Sequence, residues 1–394
     1  DIKKAYDYAS HTLFAEAARS RGMHEVLIHA WLREWRSMKS VFKLDAQTTS
    51  KEVERTRSFP QGDPAAPMIF NLVLYTLAET FIKTAVGKGW GKRLQDGSWA
   101  NLILLADNYW LVATSADMLN LMTREWLRLL EGVGWETPSE ELSWCTTVDD
   151  EVEYVITVDY KRVRRPKRGE GFKALGTIIT FDNNFDVEIE NRLARANVTF
   201  NANWNMLGCD SAPLAKRVQI FRATVEASCL WCAGSWNLRL EQLKRIKGAQ
   251  SRMMRRMLRI KRWDGEEMED LIIRANSILK LRLRDTNIKH AWWDEKYVQL
   301  RLDWGGHVAR LIKHDPSRLT YRVFNHWSYN AIRHVSDQHD GKQHHGFYIH
   351  VWRWEYYLYK HIGRTWYDDA QNRDAWKVCV RKAIEPIICK FGPR

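Results

Sequence analysis

The sequence has 394 residues, a hydrophobic content of 45% and a formal net charge of +13 at pH 7. This length favours two or three domains, and the hydrophobic content argues against a disordered chain. A basic excess of this size favours a polyanionic partner, with nucleic acid ahead of an anionic membrane surface, over a merely basic globular protein. No uninterrupted apolar run approaches the roughly 18 residues of a membrane span, and no signal peptide precedes Asp1.

Cysteine and tryptophan each allow two interpretations. Cys229 and Cys232 form one CxxC pair within an apolar helical pattern, without a second pair at zinc-finger spacing, so metal or redox use is the lesser alternative. The 20 tryptophans, many of them among cations in the last third, suit base stacking or a tryptophan-rich core. For each tryptophan taken singly, the core is the better interpretation.

The first third of the chain predicts two helices, a hairpin, a loop and a buried helix. Amphipathic periodicity predicts helices around residues 13–18 and 26–35, and alternation predicts strands at 40–44 and 53–58. Proline and glycine then make a loop that cannot be helical. The Asp63-Pro64 step opens an apolar run from Met68 to Leu77, which predicts a buried helix reaching Val86.

The next part of the chain predicts mainly strands. Residues 102–113 read as two apolar strands, with the polar pair Asp107-Asn108 at the bend between them. A helix is expected from Ala116 to Gly132. Strand edges are expected at residues 134–144 and 172–179, with a cationic loop between them.

From Glu188 onward, long helical periodicities predict helices at residues 189–207, 213–233 and 238–260. The last of these has an apolar side and a polycationic side, which carries Arg239, Lys244, Arg245, Lys247, Arg252, Arg255, Arg256 and Arg259. Such a helix can be a solvated surface, a membrane-surface helix or a clamp on a nucleic-acid backbone. The pattern alone leaves the three near even. Residues 263–394 predict helices mixed with Gly- and His-rich loops.

Five segments together resemble the motifs of one family. Gln61-Gly62-Asp63-Pro64, followed by Pro67 and Phe70-Asn71, resembles motif B of reverse transcriptases, most closely those of non-LTR (LINE-type) retrotransposons. Residues 1–7 resemble motif A, 105–108 motif C, 131–143 motif D and 172–176 motif E, and the helices that follow resemble the thumb. Each motif alone is weak, but they occur in the family's order over nearly the whole chain.

The resemblance implies an α+β fold in three parts. Residues 1–187 would form a reverse-transcriptase-like palm, an antiparallel sheet with packed helices. Residues 188–262 would form an all-α thumb, and residues 263–394 a mostly helical C-terminal region rich in Trp, His and Arg.

The resemblance also implies roles for individual residues. Asp1, Asp107 and Asn108 stand at catalytic positions, with Asp1 and Asp107 as ligands of Mg²⁺ if the chain is active. Leu175 and Gly176 correspond to the primer grip. Nucleotide- and template-binding positions are Tyr6, Gln61, Gly62 and Asp63. Contacts to the nucleic-acid backbone are expected from Arg245, Lys247, Arg252, Arg255, Arg256 and Arg259.

The sequence departs from the family pattern in three places. Asn108 stands where a second acidic ligand is usual, and an amide is a neutral, weaker ligand for Mg²⁺. Leu105 replaces the usual aromatic residue. The sequence begins at the motif A aspartate, so the preceding strand and the fingers lie outside it. If the natural protein begins here, templated synthesis is not expected.

These observations favour a palm-and-thumb remnant retained for RNA binding. It would be a largely non-catalytic component of a ribonucleoprotein such as an organellar ribosome, in an organelle (the mitochondrion) or the nucleus, with RNA and proteins of that particle as partners. The alternative is a fragment of an active Mg-dependent RNA-directed DNA polymerase. A third interpretation is a basic membrane-surface or protein-interaction scaffold.

Overall fold

The structure is a computed structural model, and its contacts divide the chain into two compact units, Asp1–Pro166 and Lys167–Arg394. Both units combine helices with small antiparallel sheets, so the predicted α+β class is confirmed at that level. The described residues are 2–3, 5–41, 43, 45, 48–54, 57, 59, 63–94, 97–147, 156–158, 161–167, 169–180, 184–284, 292–314, 357–358, 360–363 and 365–388. Within them each sheet has two antiparallel strands, and no larger antiparallel sheet of the kind expected for a palm is formed among these residues.

The first unit surrounds one long helix with shorter helices and hairpins. In chain order its elements are α1 (Ala5–Tyr8), α2 (His11–Ser20), α3 (Glu25–Ser37), β1 (Lys39–Ser40), β2 (Val53–Glu54), α4 (Ala66–Gly87), β3 (Lys92–Arg93), β4 (Trp99–Ala100), β5 (Leu102–Leu105), β6 (Asn108–Leu111), α5 (Ala116–Glu131), β7 (Thr157–Val158) and β8 (Lys161–Arg162). Its strands pair antiparallel as β1–β2, β3–β4, β5–β6 and β7–β8.

Helix α4 is the centre of the first unit, and it packs against α2 and α5. Its core side carries Ile69, Phe70, Val73 and Phe81, each at most 2% exposed, so the predicted buried helix is confirmed. Met68 was expected in that buried run but is 62% exposed, because it lies on the opposite side of the first turn.

The sequence predicts no membrane-spanning segment, but one of the described helices is a candidate for one by length and composition. Helix α4 is long and apolar enough by length and composition, with a mean hydropathy of 1.3 over its most apolar window. Of that window, 39% is buried against the rest of the unit, and a core helix passes the same test.

The strand edge expected at residues 134–144 is not formed. A 3-10 turn at Ser139–Glu141 follows Pro138, and Ser143 makes only an isolated bridge with Arg164. Pro138 has no N–H to donate to a strand ladder, and the chain turns there instead. Trp135 and Trp144 are still buried, so the apolar residues that suggested a strand fill the core individually.

The second unit begins with a hairpin and continues as helices. The elements of this unit are β9 (Phe172–Ala174), β10 (Thr177–Ile179), α6 (Asp186–Ala202), α7 (Trp204–Leu207), α8 (Leu214–Phe221), α9 (Ala227–Cys229), α10 (Leu240–Met257), α11 (Met268–Arg284), α12 (Trp293–His314), α13 (Trp366–Asp369) and α14 (Arg373–Ile388). Asn203 separates α6 from α7, and a π-helical segment, Arg222–Glu226, joins α8 to α9.

The boundary between the two units follows Pro166, whereas the resemblance predicted divisions after residues 187 and 262. The hairpin β9–β10 belongs to the same unit as the helices that follow it.

Most of the described tryptophans fill the cores. Seven of them are less than 2% exposed or at that limit: Trp35, Trp126, Trp135, Trp236, Trp293, Trp366 and Trp376. The core interpretation is confirmed for these seven.

Gly306 lets α12 and α14 pack closely, and the neighbouring Gly305 lies against Leu358. Gly305 and Gly306 lie inside α12, although glycine lowers helix stability and the surrounding region predicted loops. A Cβ at Gly306 would overlap Nε1 of Trp376, which donates to the carbonyl oxygen of Leu302 at 3.2 Å. The indole occupies the space of a side chain, so packing outweighs the helix propensity.

Replacing Gly306 by alanine is therefore expected to destabilise the protein by about 1–3 kcal/mol, through overpacking against Trp376. Gly248→Ala in α10 is the matched control, because its Cβ would meet only Nη1 of Arg252, at 3.6 Å. That change is expected to stabilise by about 0.5–1 kcal/mol through helix propensity. Urea unfolding of both variants measures the difference, and equal stabilities would contradict the packing argument.

Candidate nucleic-acid interface

Asp107 lies at the tip of the β5–β6 hairpin. Leu105 pairs with Asn108, so Ala106 and Asp107 form a two-residue loop, and Ala106 adopts a left-handed φ of 50°. The side-chain amide of Asn108 donates to Oδ1 of Asp107 at 3.3 Å. The predicted bend is confirmed. At this bend Asn108 acts as a hydrogen-bond donor to the carboxylate, where an acidic residue would repel it.

Tyr6 brings the segment that resembles motif A close to this turn. Its ring stacks on Phe70 of α4, with the ring centroids 4.6 Å apart. Burial raises the pKa of Tyr6, and the negative charge of Asp107 raises it further. Residues from three distant segments, those resembling motifs A, B and C, therefore lie together in the first unit.

The remaining predicted positions of the first unit have separate outcomes. Asp1, Gln61 and Gly62 lie outside the described residues. Asp63 is at the start of α4, where its Oδ1 accepts a hydrogen bond from the backbone N–H of Ala65 at 2.8 Å. The N-cap of α4 is Ala65, which has no side-chain cap, so the capping role predicted for Asp63 is wrong and its carboxylate instead closes a local turn before the helix.

Whether the turn at Asp107 could hold Mg²⁺ depends on how many carboxylates converge there. Two-metal chemistry needs carboxylate oxygens from separate strands. No group of three or more His, Cys, Asp or Glu side chains that could hold a metal occurs among the described residues. Asp107 with the amide of Asn108 is too small a donor set for two metal ions, so the described residues do not by themselves fit the group.

The hairpin β9–β10 places Leu175 and Gly176 at an exposed tip. Ala174 pairs with Thr177, and φ is 50° at Leu175 and 78° at Gly176, as in the turns that suit twisted two-residue hairpins. Leu175 is 47% exposed, and its carbonyl oxygen accepts a hydrogen bond from the indole of Trp231 at 3.3 Å. Trp231 is itself 54% exposed, so the tip carries two apolar side chains in solvent.

A buried ion pair in α6 binds this hairpin through hydrogen bonds to its backbone and to Thr177. Arg192 and Glu188 bind each other, and both side chains are at most 4% exposed. Arg192 also donates to the carbonyl oxygen of Gly176 and to the hydroxyl of Thr177, while Glu188 accepts from the N–H of Ile178 at 2.8 Å. The conformation of the tip is thus fixed by helix α6.

The polycationic side of α10 is divided by its ion pairs. In the N-terminal half, Asp186 binds Arg239 and Arg245 at 2.9 and 3.0 Å, and Glu190 also binds Arg245 at 3.2 Å. Lys247 binds Asp294 at 2.7 Å. The backbone-contact positions predicted at Arg245 and Lys247 are therefore neutralised within the protein.

The C-terminal half of α10 forms a cationic groove of about 460 Å³. Arg256 lies over the ring of Trp204 at 4.6 Å, and its guanidinium donates to Oδ1 of Asn201 at 2.8 Å. The residues that line this groove, called the α10 groove below, are Trp204, Arg252, Arg255, Arg256, Arg259, Ile260 and Lys261. Four of the six backbone-contact positions expected from the sequence lie in it.

The carboxylates near the α10 groove are few. Asp210 binds Arg259 at 3.1 Å, whereas Arg255 is bonded to the amide of Asn276. Within the described part of the chain, Arg252 and Lys261 have no carboxylate at ion-pair distance. Burial lowers the pKa of Arg255, and the positive charge of Arg252 lowers it further. The groove thus concentrates cations that favour an anionic ligand.

Sequence reasoning missed several residues of these sites. Trp204, Lys261 and Trp231 come from segments outside the predicted motifs, and Arg192 and Glu188 looked like ordinary residues of a helical surface. The spacing of Glu188 and Arg192, four residues apart, was the available signal for an ion pair. Their burial could not be read from it.

A scan against protein-family models finds no match to this chain, and a search of curated proteins finds no matching relative.

Replacing Arg192 by methionine tests how the tip is held. The change leaves the buried carboxylate of Glu188 without its partner, and such a loss is expected to cost about 3–5 kcal/mol. Arg195→Met is the control, because Arg195 is exposed on the same helix. Urea unfolding, with hydrogen exchange at the amide of Ile178, measures both effects. Equal stability of the two variants would show that the buried pair does not hold the hairpin.

Proposed function

We propose that this chain is a reverse-transcriptase-like protein that binds RNA and acts as a largely non-catalytic component of a ribonucleoprotein, such as an organellar ribosome. The α10 groove is the observation that carries the proposal. It gathers four arginines and a lysine around Trp204, and these side chains supply only donors and positive charge. Phosphate oxygens are the acceptors that arginine binds best.

Burial of the apolar side of α10 favours nucleic acid over a membrane surface. An interfacial helix must insert its apolar side into the lipid. In α10 that side carries Leu243, Ile246, Met253, Met254 and Met257, all buried in the core of the second unit. Arg252, Arg256 and Arg259 remain exposed on the other side of the chain, which suits phosphate binding.

The largely non-catalytic part of the proposal is supported by the turn at Asp107. Asn108 occupies the position next to the carboxylate and binds it by a hydrogen bond. An amide adds no negative charge to attract a divalent cation. RNA binding by the second unit does not need these side chains.

RNA affinity is expected to fall steeply with salt and to depend on the α10 groove. Arg252→Gln/Lys261→Gln is expected to reduce the slope of log affinity against log salt by about 1.4, since each phosphate of a single-stranded RNA that a cation neutralises adds about 0.7 to that slope. Titration by fluorescence anisotropy at several salt concentrations measures the slope.

Lys244→Gln/Arg282→Gln is the control for this experiment, since it removes two exposed cations from the same unit outside the α10 groove. It is expected to change the slope less than the groove variant. Equal effects would mean that the general charge, and not the groove, attracts RNA. Salt-independent or absent RNA binding would contradict the proposed function.

A second function, Mg-dependent RNA-directed DNA synthesis, is favoured by one observation. Tyr6 lies against Phe70 and near Asp107, which is the arrangement that the resemblance implies for a nucleotide-binding position beside a catalytic carboxylate. A chain with this activity would extend a DNA primer on an RNA template.

Primer extension with and without Mg²⁺ tests the second function. If it holds, Asp107→Asn is expected to abolish extension because the carboxylate would be the metal ligand. Asp117→Asn, at an exposed position in the first turn of α5, is expected to leave extension unchanged. Under the largely non-catalytic proposal the unmodified chain gives no extension, and Asp107-dependent product would contradict that proposal.

A further inference from the structure

Acidic side chains lie at both ends of the α10 groove along the helix. On its N-terminal side, Asp186, Glu190 and Asp294 occupy the cations of α10. At the other end, Asp210 binds Arg259 and Glu266 binds Arg274. An extended RNA strand that followed α10 out of the groove would approach these carboxylates. The cations of the C-terminal half of α10 that have no carboxylate partner among the described residues therefore lie in a short region between these acidic side chains.

Within that region the cations are dense. Arg252, Arg255 and Arg256 follow the i, i+3, i+4 spacing of one side of α10, which spans about 6 Å, and Arg259 lies just beyond the end of the helix. The chain leaves α10 through Arg259, whose φ of 52° is left-handed, and this turn brings Ile260 and Lys261 into the same groove. The positive charges of Arg252 and Arg255 repel each other, and this repulsion favours an anionic ligand between them.

Trp204 supports an arginine in this groove. Arg256 covers its ring, and a Cβ at Gly208 would lie 2.7 Å from ring atoms, so Gly208 lies against the indole as well. With the ring covered in this way, Trp204 holds the guanidinium in place. The groove therefore offers N–H donors to the ligand and little aromatic surface for a base.

We infer that the α10 groove binds a compact polyphosphate, as found at the 5′-triphosphate end of an RNA or on a free nucleoside triphosphate. The inference rests on the proposed RNA-binding function and names the group that the groove takes. Several ionised phosphoryl oxygens in a small volume match several converging donors better than the single charge of each internal phosphodiester does.

The test compares one short single-stranded RNA carrying a 5′-triphosphate, a 5′-monophosphate or a 5′-hydroxyl. The triphosphate form is expected to bind the full chain about tenfold more tightly than the hydroxyl form, since one further charge-assisted contact suffices for that ratio. Arg252→Gln is expected to reduce the ratio at least about threefold, whereas Lys244→Gln on the same helix is expected to retain it. Thermal unfolding of both variants checks that each is folded.

The outcomes separate this inference from the proposed function. Equal affinity for the three RNAs overturns the inference and leaves RNA binding in place. Absence of binding to all three overturns both. Competition by free ATP or inorganic tripolyphosphate that equals competition by the triphosphate RNA supports the site and assigns it to free polyphosphate. Competition only by the RNA assigns it to an RNA end.

Discussion

Helix α10 carries an apolar side that must be buried and a cationic side that must stay near solvent or counter-charge, and the structure of the second unit depends on both. The apolar residues from Leu243 to Met257 are buried in the core of the unit, so most cations of the helix are held at the surface. Closely spaced like charges on one helix repel each other, and that repulsion needs counter-charge. Acidic side chains of α6 and α12 supply it for the N-terminal half. The C-terminal half has much less of it within the described residues, and there the α10 groove is formed.

The buried charges of α6 likewise need counter-charge. Arg192 and Glu188 are costly to bury, and each is compensated by the other and by backbone groups of the hairpin β9–β10. This arrangement ties a flexible type of element, a two-residue turn, to a rigid helix. Leu175 and Trp231 are consequently presented in solvent at a fixed tip.

In the first unit, segments that are far apart in the sequence meet near the turn at Asp107. Tyr6 stacks on Phe70 of α4, and the negative charge of Asp107 acts on Tyr6. The hydrogen bond from Asn108 to Asp107 shows that the turn is satisfied without a second carboxylate. The two proposed functions therefore differ in the role of one turn, and they share the same fold.

The sequence by itself determined the elements whose signals are local. The start of α4 near Asp63-Pro64 and its apolar run, the bend at Asp107 and the amphipathic pattern of α10 could all be predicted, because turn chemistry and periodicity act within a few residues. It also determined the excess of positive charge.

Only the tertiary structure decided how that charge is used. Arg245 and Arg252 are equivalent in the sequence pattern, yet one is bound to Asp186 and Glu190 and the other lines the α10 groove. Gly306 reads as a loop residue until Trp376 fills the space above it. Pairing and burial depend on residues far away in the chain, which no local pattern contains.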